Sequence, residues 1–371
     1  MAIRINMAVI GAGGFAYFAT SELVKVPDVN LFGVYDENKN NALRLKELNP
    51  AVKIYDSLEQ LCAEPAIDLV YIATPPFLHY DQSKIALLAD KHVICEKPAA
   101  TKLSHAVELK EIAEERQLLF VVNLMQRYNP LYDGVANLIQ KNVLGNFLHG
   151  FFENYASDES LTENHWFWDE AKSGGIFIEH GVHFFDMFSG WLGEGKVIAA
   201  QKLHRPQYKN VWDRVQATVL FSGGLVNFYH GFDQPKIMDR QEMRLQFEKG
   251  DITLFEWVPT RLKMTALCGE NDLQVLQSIF PAAVVEIIEK HEKPGICRGR
   301  FKEIQYTYKL TLDAGAGVQK QTLYQKLITE MFKDQLAWIK DPTHRRKINQ
   351  DNAVNSLKAA EEAEVLANKN V

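Results

Sequence analysis

Cysteine is scarce. The 371 residues hold four (Cys62, Cys95, Cys268 and Cys297), far apart and without a C-x-x-C pair. That excludes a disulfide-stapled fold, and the four read as reduced thiols of a cytoplasmic protein. Charge of one sign is lacking as well: 41 Lys and Arg face 47 Asp and Glu, and no run of five like charges occurs. Nucleic acid and acidic membrane surfaces therefore find no electrostatic footprint. Apolar stretches such as Leu118–Val122 fall far short of the roughly 18 residues that span a bilayer. The opening MAIRINMAVIGAGG enters a glycine turn too soon for a secretory signal. Internal repeats and low-complexity tracts are also missing.

What remains is globular: 47% hydrophobic and 24% charged residues. A length prior of roughly 100–200 residues per domain gives two or three domains. Up to about residue 125, apolar strands alternate with helical patterns. Ile5–Gly11, Asn30–Asp36, Val52–Tyr55, Leu69–Ala73, His92–Cys95 and Leu118–Leu124 read as strands. Between them Gly14–Lys25, Asn40–Leu48, Leu58–Ala63, Tyr80–Ala89 and Leu103–Arg116 read as helices, the third capped by Ser57 with Gln60. Strands buried on both faces and joined by helices argue a doubly wound parallel sheet.

After Tyr128 the pattern changes. Leu131–Lys141 and Ile178–Leu192 read as helices, and strands then follow one another: Val197–His204, Val211–Phe221, Leu225–Phe232, Arg240–Glu248 and Asp251–Trp257. This predicts an α+β domain with an open, mostly antiparallel sheet. The expected division is 1–126 for dinucleotide binding and 127–371 for substrate binding and oligomerisation. Pro259–Gly299 reads as an insertion carrying a helix over Asp272–His291. Phe301–Leu312 returns as strand, and helices close the chain near Gln319–Ile339 and Gln350–Asn368.

Directly after the first strand stands Gly11-Ala12-Gly13-Gly14-Phe15-Ala16. Gly11 suits the tight turn, Gly13 lets the backbone approach a pyrophosphate, and Ala16 allows close helix–strand packing. Gly14 and Phe15 open the helix with N–H groups facing the phosphates. Asp36 ends the second strand, where a carboxylate accepts bonds from the adenosine ribose and repels a 2′-phosphate. The expected cofactor is NAD, with NADP possible because Lys39 lies nearby. The competing role for Asp36 is to cap the next helix.

Two further segments carry a resemblance. One runs Ile72-Ala73-Thr74-Pro75-Pro76-Phe77-Leu78-His79 and on to Cys95-Glu96-Lys97-Pro98; the other is Ser173-Gly174-Gly175-Ile176-Phe177-Ile178-Glu179-His180-Gly181-Val182-His183. With the glycine turn they resemble the glucose–fructose oxidoreductase / inositol dehydrogenase / MocA family. The resemblance implies a Rossmann domain, an open-sheet domain, and a nicotinamide between them. It implies Lys97 and His183 at the reacting carbon, and Glu179 where the family usually has Asp. Ser173 replaces a glycine, and Trp166-Phe167 stands where many members have Trp-Arg. Ala73, Thr74, Pro75 and His79 are expected to line the nicotinamide side, with Glu96 on its ribose and Lys97–Pro98 as a cis peptide. Arg127 and Tyr128 are expected in the cleft around the substrate, with hinge packing as the competing role; Trp166 and Trp168 are expected to stack on a sugar ring or the nicotinamide, with core or interface packing as the competing role.

Glu179 and His183 are four apart and share a helix face. An imidazole near its usual pKa of about 6.5 suits proton transfer in both directions. No metal is expected, since the histidine spacing lacks the H-E-x-x-H pair. The expected activity is hydride transfer between NAD(P) and a carbinol carbon of a sugar, polyol or cyclic alcohol. The alternatives are transient use of tightly bound NAD, in glycoside hydrolysis or isomerisation, and a non-catalytic NAD sensor. The expected assembly is a homodimer or homotetramer.

Overall fold

The computed structural model describes residues 4–299, 302–315 and 317–370. Along the chain run β1 (Ile5–Ile10), α1 (Gly14–Leu23), β2 (Val29–Tyr35), α2 (Lys39–Leu45), β3 (Lys53–Ile54), α3 (Leu58–Cys62), β4 (Leu69–Ile72), α4 (Pro76–Leu88), β5 (His92–Cys95), α5 (Leu103–Glu115) and β6 (Phe120–Val122). Then come α6 (Pro130–Gln140), β7 (Phe147–Tyr155), α7 (Glu170–Ser173), a π-helical turn over Phe177–Gly181, α8 (Val182–Leu192), β8 (Lys196–Arg205), β9 (Tyr208–Phe221), β10 (Gly224–Gly231), β11 (Arg240–Phe247) and β12 (Gly250–Phe255). β13 (Arg261–Cys268), α9 (Glu270–Ile279), β14 (Val284–Arg298), β15 (Glu303–Ala314), α10 (Lys320–Lys340) and α11 (Gln350–Lys369) complete it.

Two compact units form. The first takes Met1–Tyr128, Glu163–Asp186 and Gln325–Glu364; the second takes Asn129–Thr162, Met187–Tyr324 and Val365–Val371. The end of the first stretch lies close to the expected boundary at 126/127, but two later segments pack with the first unit.

In the first unit six strands pair in the order β3-β2-β1-β4-β5-β6, every pair parallel. All four residues of β4 are buried, as a strand covered on both faces requires. Strand order reverses between β1 and β4, and in open α/β sheets ligands bind off the carboxyl ends at such a switch point. Ser57 caps α3 as expected, accepting from the Gln60 N–H at 3.2 Å. The cap of α2, the competing role for Asp36, is taken by Asn38, whose side chain accepts from Asn40 N–H.

In the second unit nine strands run β14-β15-β13-β12-β11-β7-β10-β9-β8. The pairs are antiparallel except β7 with β10. One face buries Phe152, Phe228 and Met243; the other exposes Leu148, Ile198, Leu220 and Leu225.

Within the expected insertion at 259–299, β13 and β14 join the sheet on either side of α9, and the helix expected over Asp272–His291 is corrected: it runs Glu270–Ile279. β14 is an edge strand, mostly exposed, with Pro294 inside a register break between Lys290 and Gly295. An edge strand has no buried side to impose alternation, and charges and proline guard it against further pairing. That mixture imitates an amphipathic helix. The neighbouring strand starts at Glu303; its expected start at Phe301 lies outside the described residues. No described helix is long and apolar enough to cross a membrane.

Candidate active site

All the expected site residues lie in the first unit. Gly11 has φ +81°, and a Cβ there would sit 2.7 Å from Thr74 Cγ2 and 2.9 Å from the Ala73 carbonyl. Only glycine meets both demands. At Gly13 and Gly14 an added Cβ would meet nothing within 4 Å. Gly13 caps α1 without a side-chain bond, and the first turn carries no acidic residue. The helix therefore starts without a side-chain cap beside open space at Gly13 and Gly14, which fits a pyrophosphate. Phe15 is half-exposed beside it, whereas Ala16 is 1% exposed and packs against the sheet.

Asp36 closes the turn from the end of β2. Its carboxylate accepts from Ala12 N–H at 2.6 Å, Asn38 N–H at 2.7 Å and the Asn41 amide at 3.3 Å. Three donors leave part of the acceptor capacity of a carboxylate for ribose hydroxyls. Lys39 is turned to Asp56, 3.0 Å away.

At the carboxyl ends of β4 and β5, Ala73 N–H donates to Ile10 carbonyl at 2.8 Å. Thr74 hydroxyl donates to Gln82 at 2.6 Å. Pro75 caps α4 and Pro76 is its first residue. His79 is fully buried, with one ring nitrogen 2.7 Å from the Pro98 carbonyl and the other 2.7 Å from the Thr74 carbonyl. Its ring thus ties two loops together, in place of the expected contact with a nicotinamide. Glu96 also turns inward: one carboxylate oxygen accepts from Tyr71 hydroxyl at 2.6 Å and Asn123 amide at 2.8 Å. Burial raises its pKa. The expected ribose contact is not served by that oxygen.

Lys97–Pro98 is a cis peptide. The Lys97 ammonium donates to Glu179 twice, to the backbone carbonyl at 2.8 Å and to the carboxylate. Glu179 lies in the π-helical turn and His183 at the start of α8. His183 is 7% exposed. Burial first, and the Lys97 charge second, lower its pKa to about 3. The expectation of an ordinary imidazole is therefore corrected: the ring is neutral over the whole physiological range. From the sequence Glu179 is expected to orient His183 or Lys97, or to bond a substrate hydroxyl; its carboxylate and backbone carbonyl accept from Lys97.

The other expected substrate contacts are turned elsewhere. The Arg127 guanidinium grips Asp186 with two bonds of 2.6 and 2.9 Å, and Asn352 amide donates to the same carboxylate at 3.1 Å. Tyr128 hydroxyl donates to Asp334 at 2.5 Å. Trp168 is 4% exposed and packs edge-on against Phe167 at 4.7 Å, while Trp166 stays half-buried. Gln82, Asn123, Asp186 and Asn352 escaped notice in the sequence as site-shaping residues. Only Asp186 had a signal, three residues after His183. Among the described residues no group of three or more His, Cys, Asp or Glu could hold a metal ion.

Comparison with known proteins agrees with this architecture. Residues 5–124 match the family model "Oxidoreductase family, NAD-binding Rossmann fold", and residues 132–253 match the GFO/IDH/MocA C-terminal domain. The glucose-6-phosphate 3-dehydrogenase of Bacillus subtilis is 30% identical over 186 residues, 49% of this chain and 52% of that protein. The scyllo-inositol 2-dehydrogenase (NAD(+)) of the same organism is 26% identical over 191 residues, 51% of this chain and 54% of that protein. The chain thus spans about half the length of the curated relatives it matches. The fold of the WlbA dehydrogenase from Bordetella pertussis, solved with NADH and UDP-GlcNAcA, superposes with a TM-score of 0.78 at 14% identity, over 100% of this chain and 97% of that one. The chain belongs to the GFO/IDH/MocA oxidoreductase family, with an NAD-binding Rossmann fold followed by the family's C-terminal domain.

Proposed function

We propose that this protein is an NAD-dependent oxidoreductase that interconverts a carbinol and a carbonyl on a sugar, polyol or related cyclic alcohol. The observation that carries this reading is Lys97: its ammonium donates twice to Glu179 and its charge acts on the neighbouring His183. An ammonium has three N–H groups; two are on Glu179 and the third serves the substrate oxygen, where it stabilises developing alkoxide charge. NAD held by its pyrophosphate at the glycine turn would supply a two-electron acceptor at the nicotinamide carbon. His183, neutral, takes the hydroxyl proton in oxidation. In reduction the same ring returns a proton to the alkoxide.

The Asp36 carboxylate, already clamped on the glycine turn, favours NAD over a 2′-phosphorylated cofactor. Sugar and inositol dehydrogenases among the relatives support a small polyhydroxylated substrate. Four free thiols fit a reducing, cytoplasmic setting. A homodimer or homotetramer would cover Leu148, Ile198, Leu220 and Leu225, all at least 38% exposed, and sedimentation measures that assembly.

The test incubates the protein with NAD or NADP and a panel of polyols and aldoses, and follows absorbance of the reduced nicotinamide. Turnover is expected with NAD. Lys97→Met and His183→Asn each lower kcat by about 10²–10⁴-fold. Tight cofactor binding with no net reduction would favour transient use of NAD, and cofactor binding that is indifferent to both substitutions and never turns over would favour a sensor.

A further inference from the structure

His79 is a fully enclosed polar ring near the lysine, with 0% exposure. It sits on the first turn of α4, and its two nitrogens face two carbonyl oxygens at the same 2.7 Å, those of Thr74 and Pro98. Each carbonyl belongs to a loop that matters. Pro98 follows Lys97 directly. Thr74 is the residue whose methyl group packs where a Cβ on Gly11 would be, and its hydroxyl is held by Gln82 of the same helix. A continuous line of contacts therefore runs from the glycine turn through Thr74, the imidazole and Pro98 to Lys97.

A neutral imidazole owns one N–H, so it donates to one carbonyl at a time; only the doubly protonated ring donates to both. Burial and the Lys97 charge disfavour the second proton, while the two carbonyls and the Glu179 charge favour it. A buried imidazole N–H needs an acceptor, and here the Pro98 carbonyl at one nitrogen ties α4 to the loop that carries Lys97, while the Thr74 carbonyl at the other belongs to the loop that enters α4. We propose that His79 is a positioning residue for Lys97, a strap that joins the loop after β4 to the loop after β5 and so fixes where the ammonium stands.

The proposal rests on the oxidoreductase reading for its kinetic test and is independent of it for its chemical one. His79→Phe keeps the bulk and removes both polar contacts. It is expected to lower kcat by about tenfold or more, while KM for the alcohol and Kd for NAD stay within about threefold, as for a lost interaction that matters in the transition state. His79→Ala with added imidazole is expected to regain activity in a saturable way; toluene, which fills the same space, is expected not to. The second measurement needs no substrate: acetylation of Lys97, followed by mass spectrometry against Lys84 as internal reference, is expected to speed up in both variants.

Wild-type kcat in His79→Phe, unchanged Lys97 labelling, or equal rescue by toluene would each overturn the strap. If one variant fails to fold, the other carries both measurements. Should the unaltered protein oxidise no alcohol at all, the dehydrogenase reading falls, while the labelling result still decides the strap.

Discussion

Glu179 holds Lys97 by two chemically different acceptors, and a substitution separates them. Glu179→Gln keeps the backbone carbonyl and removes the negative charge. A hydrogen bond to a charged group contributes about 1.5–3 kcal/mol, so kcat is expected to fall roughly 10–100-fold while NAD affinity, set at the far glycine turn, stays put. Stopped-flow hydride transfer and NADH fluorescence titration read the two quantities. Glu179→Asp withdraws the carboxylate by one methylene and leaves the carbonyl in place, so a smaller loss is expected. At this scale the sequence displays chemistry but not direction. Lys97, Glu179 and His183 stand in motifs that single them out. Glu96, His79, Arg127 and Tyr128 stood in equally telling places, yet their polar ends turn to Tyr71, Pro98, Asp186 and Asp334. Asn352 reaches Asp186 from 166 positions away, and nothing local announces such a pairing.

The elements tell a similar story. β4, with every residue buried, is plain in the sequence because burial on both faces leaves an unbroken apolar run. β14 is not, since its exposed faces select charge and proline for the edge rather than for a core. The helix read over Ile178–Leu192 is also only partly right. It begins with the π-helical turn over Phe177–Gly181, a geometry without a residue pattern of its own and frequent at functional sites. What the sequence does show is the glycine pair that launches it. Gly174 and Gly175 have φ of +82° and +94°, and the Gly175 carbonyl accepts from both Ile178 and Glu179 N–H at 3.1 and 2.8 Å. Gly175→Ala forces a Cβ into that conformation, at about 1–3 kcal/mol. Urea unfolding is expected to show the loss. Because the same carbonyl anchors Glu179, kcat is expected to drop further than stability alone explains.

For the molecule as a whole, acid is the informative perturbation. Each unit buries a histidine whose pKa is pushed down to about 3 by desolvation: His183 in the first, His230 in the second. Above the unfolded value, about 6.5, both states leave these rings neutral and stability is unaffected by them. Below it the unfolded chain takes up protons that the folded one refuses, so stability drains away as pH falls from about 6.5 towards 3. Each ring contributes a slope of about 1.4 kcal/mol per pH unit once its unfolded form is protonated. Glu96 opposes them, because its raised pKa lets the folded state bind a proton first; His79, lowered by burial, acts with them. Urea midpoints between pH 7 and pH 5, above the range where ordinary carboxylates titrate, are therefore expected to decline with acid. His230→Gln replaces one titrating ring by a neutral amide. Its absolute stability reflects altered packing beside Phe152, whose ring lies 5.1 Å from His230, but the slope does not. A shallower slope in that variant assigns the lost proton uptake to His230, whereas an unchanged slope would mean that the ring is already protonated in the fold and that the second unit's core is wetter than its burial implies.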